Sequence, residues 1–127
     1  MQEKSKEAYS EVICLEATDT DLNNKWKISS VVSRIQAVAG NHCVLNGWGW
    51  NELKEKYGIC LVLTRTHVHM DKYPACYTRV RIKTWPENGI KPIFTRYFEI
   101  ENAETGERYG YAAVQCMIMD MVSRSRV

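Results

Sequence analysis

A carboxylate and a carboxamide stand two positions apart in the segment 21–25, DLNNK, where together they could hold and activate a water molecule. Asp21 would accept the proton and Asn23 would orient the water. The same residue types are common at helix starts, where they cap free backbone N–H groups. Because the segment contains no histidine, we interpret it first as a cap and keep catalysis as the alternative.

The three histidines are weaker candidates for chemistry. We expect His42 near the end of a helix, as a half-buried residue whose hydrogen bonds are made, rather than as a general base. His67 and His69 share one face of a predicted strand at a spacing that can bind metal, but no cysteine or carboxylate partner accompanies them. We therefore predict a solvated strand face and no metal site.

Neither the serines nor the cysteines form a recognisable reactive motif. Ser29, Ser30 and Ser33 lack the strand-to-helix turn of a nucleophilic serine and are interpreted as helix surface or cap residues. The five cysteines are odd in number, scattered and free of C-x-x-C pairs, which disfavours a disulfide framework or a zinc site. We expect mostly buried thiols and no cofactor.

Length and composition indicate one folded domain. The chain has 127 residues, of which 45% are hydrophobic and 25% charged, the balance of a globular protein. No apolar run reaches the roughly 20 residues that span a bilayer, and the polar start MQEKSKEAYS lacks the apolar core of a signal peptide. We therefore expect a cytoplasmic protein without a membrane span. A net charge of +2 is too small and dispersed to predict nucleic-acid binding.

The first part of the chain combines one strand with two helices. Residues 1–9 are expected to be a flexible lead-in, and 10–17 a strand. Apolar residues at 28, 31, 32, 35 and 39 follow a helical period, and the few charges predict a helix buried on most sides. After the loop LNGWGW, Asn51 is the expected cap of a short helix that Gly58 ends.

Strand patterns fill the rest of the chain, at 59–70, 79–85, 93–101 and 107–120. Asn102 and Gly106 suit a tight hairpin, and Gly110 indicates a bulge. In 79–85, Val80, Ile82 and Thr84 alternate with basic residues, which predicts one buried and one basic face. The element order predicts an α+β domain over residues 10–127, with an antiparallel β-sheet wrapped around a long central α-helix.

That architecture is the hotdog fold, and several segments resemble the amino-terminal hotdog half of acyl-acyl-carrier-protein thioesterases. They are DLNNKWKISSVVSRIQAVAGNH, GWGWNELKEKYG, LVLTRTHV, DKYP, IKTWPEN and MIMDMVSRSR, in the family's order. The family's second half carries an Asp-x-Asn-x-His catalytic turn. DLNNK is similar to a degenerate copy of it, with Lys25 in place of the histidine. Since a lysine is protonated at neutral pH, the resemblance implies the non-catalytic half.

The resemblance also implies a substrate site. In the family an acyl chain lies between the central helix and the sheet, and the candidates for that groove here are Ile35, Ala39, Trp48, Leu61 and Arg65. Ordinary core packing is the alternative for each of the apolar ones. An arginine in an apolar strand needs either a carboxylate partner or a wet pocket.

The implied partners are an acyl carrier protein bearing a fatty-acyl thioester, and either a second hotdog half or another copy of the chain. A carrier protein is acidic, so Lys72, Arg79, Arg81 and Lys83 are candidates for its docking site. Solvated charges that protect the sheet are the alternative. Two other functions remain open: a non-catalytic acyl-binding or structural hotdog domain, and a homodimeric single-hotdog thioesterase that uses Asp21.

Overall fold

The structure, a computed structural model, describes residues 8–87 and 92–123. Strands are β1 (Tyr9–Cys14), β2 (Ile59–Met70), β3 (Arg79–Pro86), β4 (Ile93–Asn102) and β5 (Arg108–Asp120). Helices are α1 (Ile28–Leu45) and α2 (Trp50–Tyr57), preceded by a 3-10 turn at Ala17–Asp19. Sequence periodicity therefore located every strand and both helices, with ends displaced by a few residues.

The strands form one sheet in the order β1-β3-β4-β5-β2, and each neighbouring pair is antiparallel. This confirms the α+β class and the antiparallel sheet. β1 and β2 lie at its two edges. No helix in the described part of the chain is long and apolar enough to cross a bilayer.

Helix α1 packs one side against the inner face of the sheet. Val31, Ile35 and Val38 are at most 2% exposed and belong to one core cluster with residues of β3, β4 and β5, and partly buried side chains of β1 and β2 pack against this cluster. The opposite side of the helix is open, and Leu45 near its end is 70% exposed. The expectation of a helix buried on most sides was therefore wrong, because a low charge density does not by itself imply a covered surface.

A tight turn and a bulge shape the β4–β5 pair. The side chain of Asn102 accepts hydrogen bonds from the N–H groups of Glu104 and Thr105 at 2.8 and 3.0 Å, which closes the predicted hairpin. Just beyond the hairpin, the pairing register of β4 with β5 shifts by one residue. Tyr109 is the extra residue of this bulge, and Gly110 follows it. A Cβ on Gly110 would lie 2.3 Å from the carbonyl oxygen of His69, which explains the glycine.

Two boundary predictions need correction. Tyr9 was expected in the lead-in but pairs with Thr84 as the first residue of β1, and residues 1–7 of that lead-in lie outside the described residues. Asn51 does not cap α2. Gly49 is the capping residue, because its N–H donates to Glu52 Oε1 at 3.3 Å, and Gly58 ends the helix in the left-handed conformation.

Candidate functional site

The turn that contains Asp21 and Asn23 is exposed, and the carboxylate of Asp21 stabilises the turn itself. Its Oδ1 accepts from the N–H groups of Asn23 at 2.8 Å and Lys25 at 3.1 Å. The N–H of Asp21 in turn donates to the carbonyl of Lys25 at 2.9 Å. Asp21 thus caps this turn and not α1, whose capping position is held by Lys27 without a side-chain bond. Catalysis by Asp21 and Asn23 stays a prediction.

A second carboxylate near the start of α1, Asp19, is buried and was missed in the sequence. Its Oδ1 accepts from Ser30 Oγ at 2.5 Å and Arg34 Nε at 3.1 Å. Its Oδ2 accepts from Arg34 Nη2 at 2.6 Å and from the N–H of Glu16 at 2.8 Å. The Arg34 guanidinium holds the pKa of Asp19 far below its usual range. Asp19 is therefore a charged structural anchor rather than a proton acceptor.

Ser30 links this anchor to the core. Its hydroxyl accepts from the indole N–H of Trp26 at 3.0 Å and donates to Asp19, and Ser30 is 8% exposed. The interpretation of Ser30 as a helix surface or cap residue was wrong. Ser30 and Arg34 are one helical turn apart, but Asp19 precedes them by 11 and 15 positions, so no local spacing connects it to them before the chain folds.

An apolar cavity of about 160 Å³ lies between the second half of α1 and the inner face of the sheet. Ala39 and Leu61, both predicted groove residues, line it. Its volume resembles that of an engineered cavity of about 150 Å³ that holds a benzene molecule. The remaining lining residues are Gln36, Gly40, Cys43, Leu63, Phe94, Arg96, Phe98, Val114 and Cys116.

The other three predicted groove residues lie elsewhere. Ile35 is fully buried in the main core, and Trp48 is 54% exposed between the two helices. Arg65 is exposed on the outer face of the sheet. The pairing register of β2 with β5 shifts between Leu63 and Arg65. This bulge moves the side chain of Arg65 to the face opposite Leu61 and Leu63. Arg65 therefore does not line the cavity, contrary to the expectation from simple alternation.

The predicted docking residues are largely paired with carboxylates. Arg81 Nη1 and Lys83 Nζ each lie 3.0 Å from an oxygen of Glu101, on the neighbouring strand β4. Burial raises the pKa of Glu101, but its bonds to Lys83 and Arg81 outweigh burial and lower the pKa overall. Lys72 is paired with Glu107, and Arg79 is exposed at the start of β3. The outer face is therefore mixed in charge, and not basic as expected.

A buried cation, Arg96, adjoins the cavity and was also missed. It is 8% exposed, and its Nη1 donates to His42 Nδ1 at 3.0 Å and to Thr84 Oγ1 at 3.2 Å. His42 is 4% exposed, and its ring stacks on Tyr9. The expected satisfied His42 is thus confirmed, with deeper burial. In sequence, Arg96 resembles any polar residue of an alternating strand.

The remaining histidines lie on the outer face of the sheet. His67 and His69 are exposed, and His69 Nε2 lies 2.8 Å from Asp71 Oδ1, with its ring stacked on Tyr111. Across the described ranges, no three histidine, cysteine or acidic side chains are grouped as a metal site would require. The solvated strand face predicted for this pair is confirmed.

The sheet order, the long helix packed on the inner face of the sheet and the cavity between them define a hotdog domain, and solved structures share this fold. An acyl-ACP thioesterase from Bacteroides thetaiotaomicron superposes with a TM-score of 0.88 at 22% identity, covering 95% of this chain and 49% of that one. A 1,4-dihydroxy-2-naphthoyl-CoA thioesterase from Synechocystis superposes with a TM-score of 0.85 at 12% identity, covering 94% and 88%.

The chain belongs to the acyl-ACP thioesterase family, because residues 6–127 match the family's N-terminal domain. Among curated proteins it is similar to an oleoyl-acyl carrier protein thioesterase from Arabidopsis thaliana, with 25% identity over 122 residues. That match covers 92% of this chain and 33% of the relative. The chain thus spans about a third of the length of this curated relative.

Proposed function

We propose that this chain is the acyl-binding half of an acyl-ACP thioesterase, which hydrolyses fatty-acyl thioesters of acyl carrier protein and releases fatty acids for lipid synthesis. The observation that carries the proposal is the match of residues 6–127 to the N-terminal domain of that family. Relatives about three times as long leave room for a separate catalytic half.

The cavity supports a role in acyl binding. Ala39, Leu61 and Phe98 present an apolar wall between helix and sheet, and burial of each methylene group there would contribute about 0.8 kcal/mol. A benzene-sized volume accommodates a segment of an acyl chain rather than a long chain in full. Ile35 stabilises the helix behind this wall.

The turn at 21–25 supports assigning proton transfer to another half. Hydrolysis of a thioester needs a water, a group that removes its proton, and donors for the oxyanion. Asp21 accepts two backbone N–H groups of its own turn, and Lys25 occupies the position at which the similar catalytic turn has histidine. A protonated lysine does not remove a proton from water near neutral pH.

The edge strand β2 supports contact with a second hotdog half or another copy of the chain. Leu63 on this edge lines the cavity and is still 47% exposed, so a partner strand would both pair with β2 and cover Leu63. Exposed apolar side chains also gather around the end of α1 and along α2, and they suit a partner surface. They are Val44, Leu45, Trp48, Trp50 and Tyr57.

We further propose that an acidic carrier docks on the outer face of β3. The same proposal includes a cytoplasmic location. The side chains of Arg79, Arg81 and Lys83 project from that face, although Glu101 partly neutralises it. Attraction at such a surface would act mainly on the association rate and would weaken with salt.

Thiol release from acyl carrier proteins of several acyl chain lengths tests the proposal. Residues 1–127 alone should give the background rate, and addition of the separately expressed carboxy-terminal half should give hydrolysis. General base catalysis contributes about 10²–10⁴-fold, so the difference should be plain. Robust hydrolysis by the chain alone, abolished by Asp21→Ala with folding intact, would instead establish a homodimeric single-hotdog thioesterase.

A further inference from the structure

Arg96 is a buried cation whose side-chain contacts among the described residues are with an imidazole, a hydroxyl and a thiol. Besides its bonds to His42 and Thr84, its Nη2 lies 3.7 Å from the sulfur of Cys43. Cys116 also lines the cavity, but burial raises the pKa of its thiol to about 11, so it carries no charge at neutral pH. No carboxylate in residues 8–87 and 92–123 forms an ion pair with Arg96.

The free side of this guanidinium is suited to a carboxylate. A guanidinium has five N–H groups, and the contacts of Arg96 within the described residues use two on Nη1 and one on Nη2. This leaves Nε–H and the second N–H of Nη2. Arg34 uses the same two nitrogens, Nε and Nη2, to bind both oxygens of Asp19. The same protein thus shows what this pair of donors binds.

We propose that the cavity binds a carboxylate at Arg96, carried on a short apolar chain that lies against α1. This inference rests on the proposed function and names the chemistry that the acyl site recognises besides methylene groups. Two sources share that chemistry: a free fatty acid, and an acyl group that bears a second carboxylate remote from its thioester.

Both size and electrostatics favour such a ligand. Phe94, Phe98 and Val114 surround the cavity with apolar surface, and its volume of about 160 Å³ suits a chain of about six carbons. A cation removed from water without a counter-charge is unfavourable, so an anion that enters gains attraction that a neutral ligand does not. An alcohol of equal length would gain only the contacts of its chain.

Titration of the full 127-residue chain with hexanoate, hexanol, methyl hexanoate and monomethyl adipate, followed by two-dimensional NMR, tests the inference. Hexanoate should bind about tenfold to a hundredfold more tightly than hexanol, as expected for a charge-assisted bond. Monomethyl adipate, whose ester represents the thioester, is compared with methyl hexanoate. A preference for hexanoate over hexanol, without a preference for monomethyl adipate over methyl hexanoate, identifies a free acid. A preference for monomethyl adipate over methyl hexanoate identifies a dicarboxylic acyl group.

Arg96→Gln should remove the preference for carboxylate, whereas Arg65→Gln, which changes an exposed arginine on the opposite face, should keep it. Equal affinities for acid and alcohol, or a preference that survives in Arg96→Gln, would overturn the inference while leaving acyl binding intact. Binding of none of the four probes would overturn the acyl site as well. If Arg96→Gln does not fold, the wild-type structure with hexanoate decides: the carboxylate lies at Arg96, or the inference fails.

Discussion

Arg34 binds Asp19 through two hydrogen bonds, from Nε to Oδ1 at 3.1 Å and from Nη2 to Oδ2 at 2.6 Å. The carbonyl of Asp19 also accepts the N–H of Lys27 at 3.0 Å. Asp19 thereby fixes both the second turn of α1 and the end of the loop that precedes it. Asp19 thus holds the turn at 21–25 on its helix side, and the N–H of Cys76, which donates to Asn24 Oδ1 at 3.0 Å, holds it on the other side.

Replacement of Asp19 by Asn should destabilise the protein by about 3 kcal/mol. Breaking a buried ion pair leaves the partner charge less compensated. The lower part of the usual range applies, because the side chain of Arg34 is 30% exposed and its Nη2 also lies 3.7 Å from Glu16 Oε2. Urea unfolding followed by circular dichroism measures the change. Glu107→Gln, which breaks the exposed pair with Lys72, is the control and should cost far less, because solvent screens that pair. Equal losses in both variants would contradict the anchor role.

Low pH should lower the unfolding free energy of the wild-type protein through protonation of Asp19. Asp19 has a lowered folded-state pKa, so the unfolded chain binds a proton first as the pH falls. Its contribution to stability is complete above the unfolded pKa of about 3.9 and declines as the pH falls towards the folded pKa. The unfolding free energy of Asp19→Asn should vary less steeply below about pH 4. Parallel pH profiles for the two proteins would show that other carboxylates dominate.

Two glycine-to-alanine changes should have opposite signs. In Gly110→Ala the new methyl group would meet the carbonyl oxygen of His69 at 2.3 Å, and the resulting overpacking should cost about 1–3 kcal/mol. In Gly40→Ala, nothing lies within 4 Å of the added carbon, and a helical alanine should stabilise α1 by about 0.5–1 kcal/mol. Melting temperatures of the two variants test both predictions. A stable Gly110→Ala would mean that β2 and β5 can separate at this bulge.

Sequence periodicity was sufficient for the strands, the helices and the hairpin because those depend on near neighbours. It failed at Arg65, where one extra residue, Thr64, reverses the alternation of β2. The single O–H of Thr64 lies within hydrogen-bond distance of the carbonyl and of the side-chain oxygen of Gln115, a residue 51 positions away. A bulge fixed by so distant a partner leaves no signal in the strand's own pattern.

The partners of the charged residues could likewise not be predicted from the sequence. Arg81 and Lys83 alternate with apolar residues and so indicated a basic face, but the register of β3 with β4 places Glu101 opposite Arg81 and diagonal to Lys83, within reach of both. Asp19 and Arg96 were missed for a related reason, since their partners lie in other elements. Local patterns identify which residues share a face of one strand, and only the register between strands identifies their neighbours.

Self-association through β2 should depend on Leu63. Leu63→Lys places a charge on the exposed edge, which opposes both strand pairing and burial of the cavity wall, and should shift the chain towards monomer in sedimentation velocity. Leu22→Lys is the matched control, because Leu22 is fully exposed in the turn at 21–25. A wild-type chain that is monomeric at high concentration would argue against an interface with another copy.

Glu101 should control binding of an acidic carrier if the outer face of β3 is its docking site. Glu101→Gln releases Arg81 and Lys83 from their shared carboxylate and should tighten binding of acyl carrier protein, whereas Arg81→Glu should weaken it. Each change should be about two- to fivefold at low salt, as expected for charges near the protein surface, and should shrink as salt screens the charges. Lys56→Glu on α2 changes the net charge by the same amount as Arg81→Glu and serves as the control. Kinetic binding measurements at two salt concentrations separate the cases: a loss in Arg81→Glu alone places the carrier on β3, and equal losses in both variants reflect only the total charge.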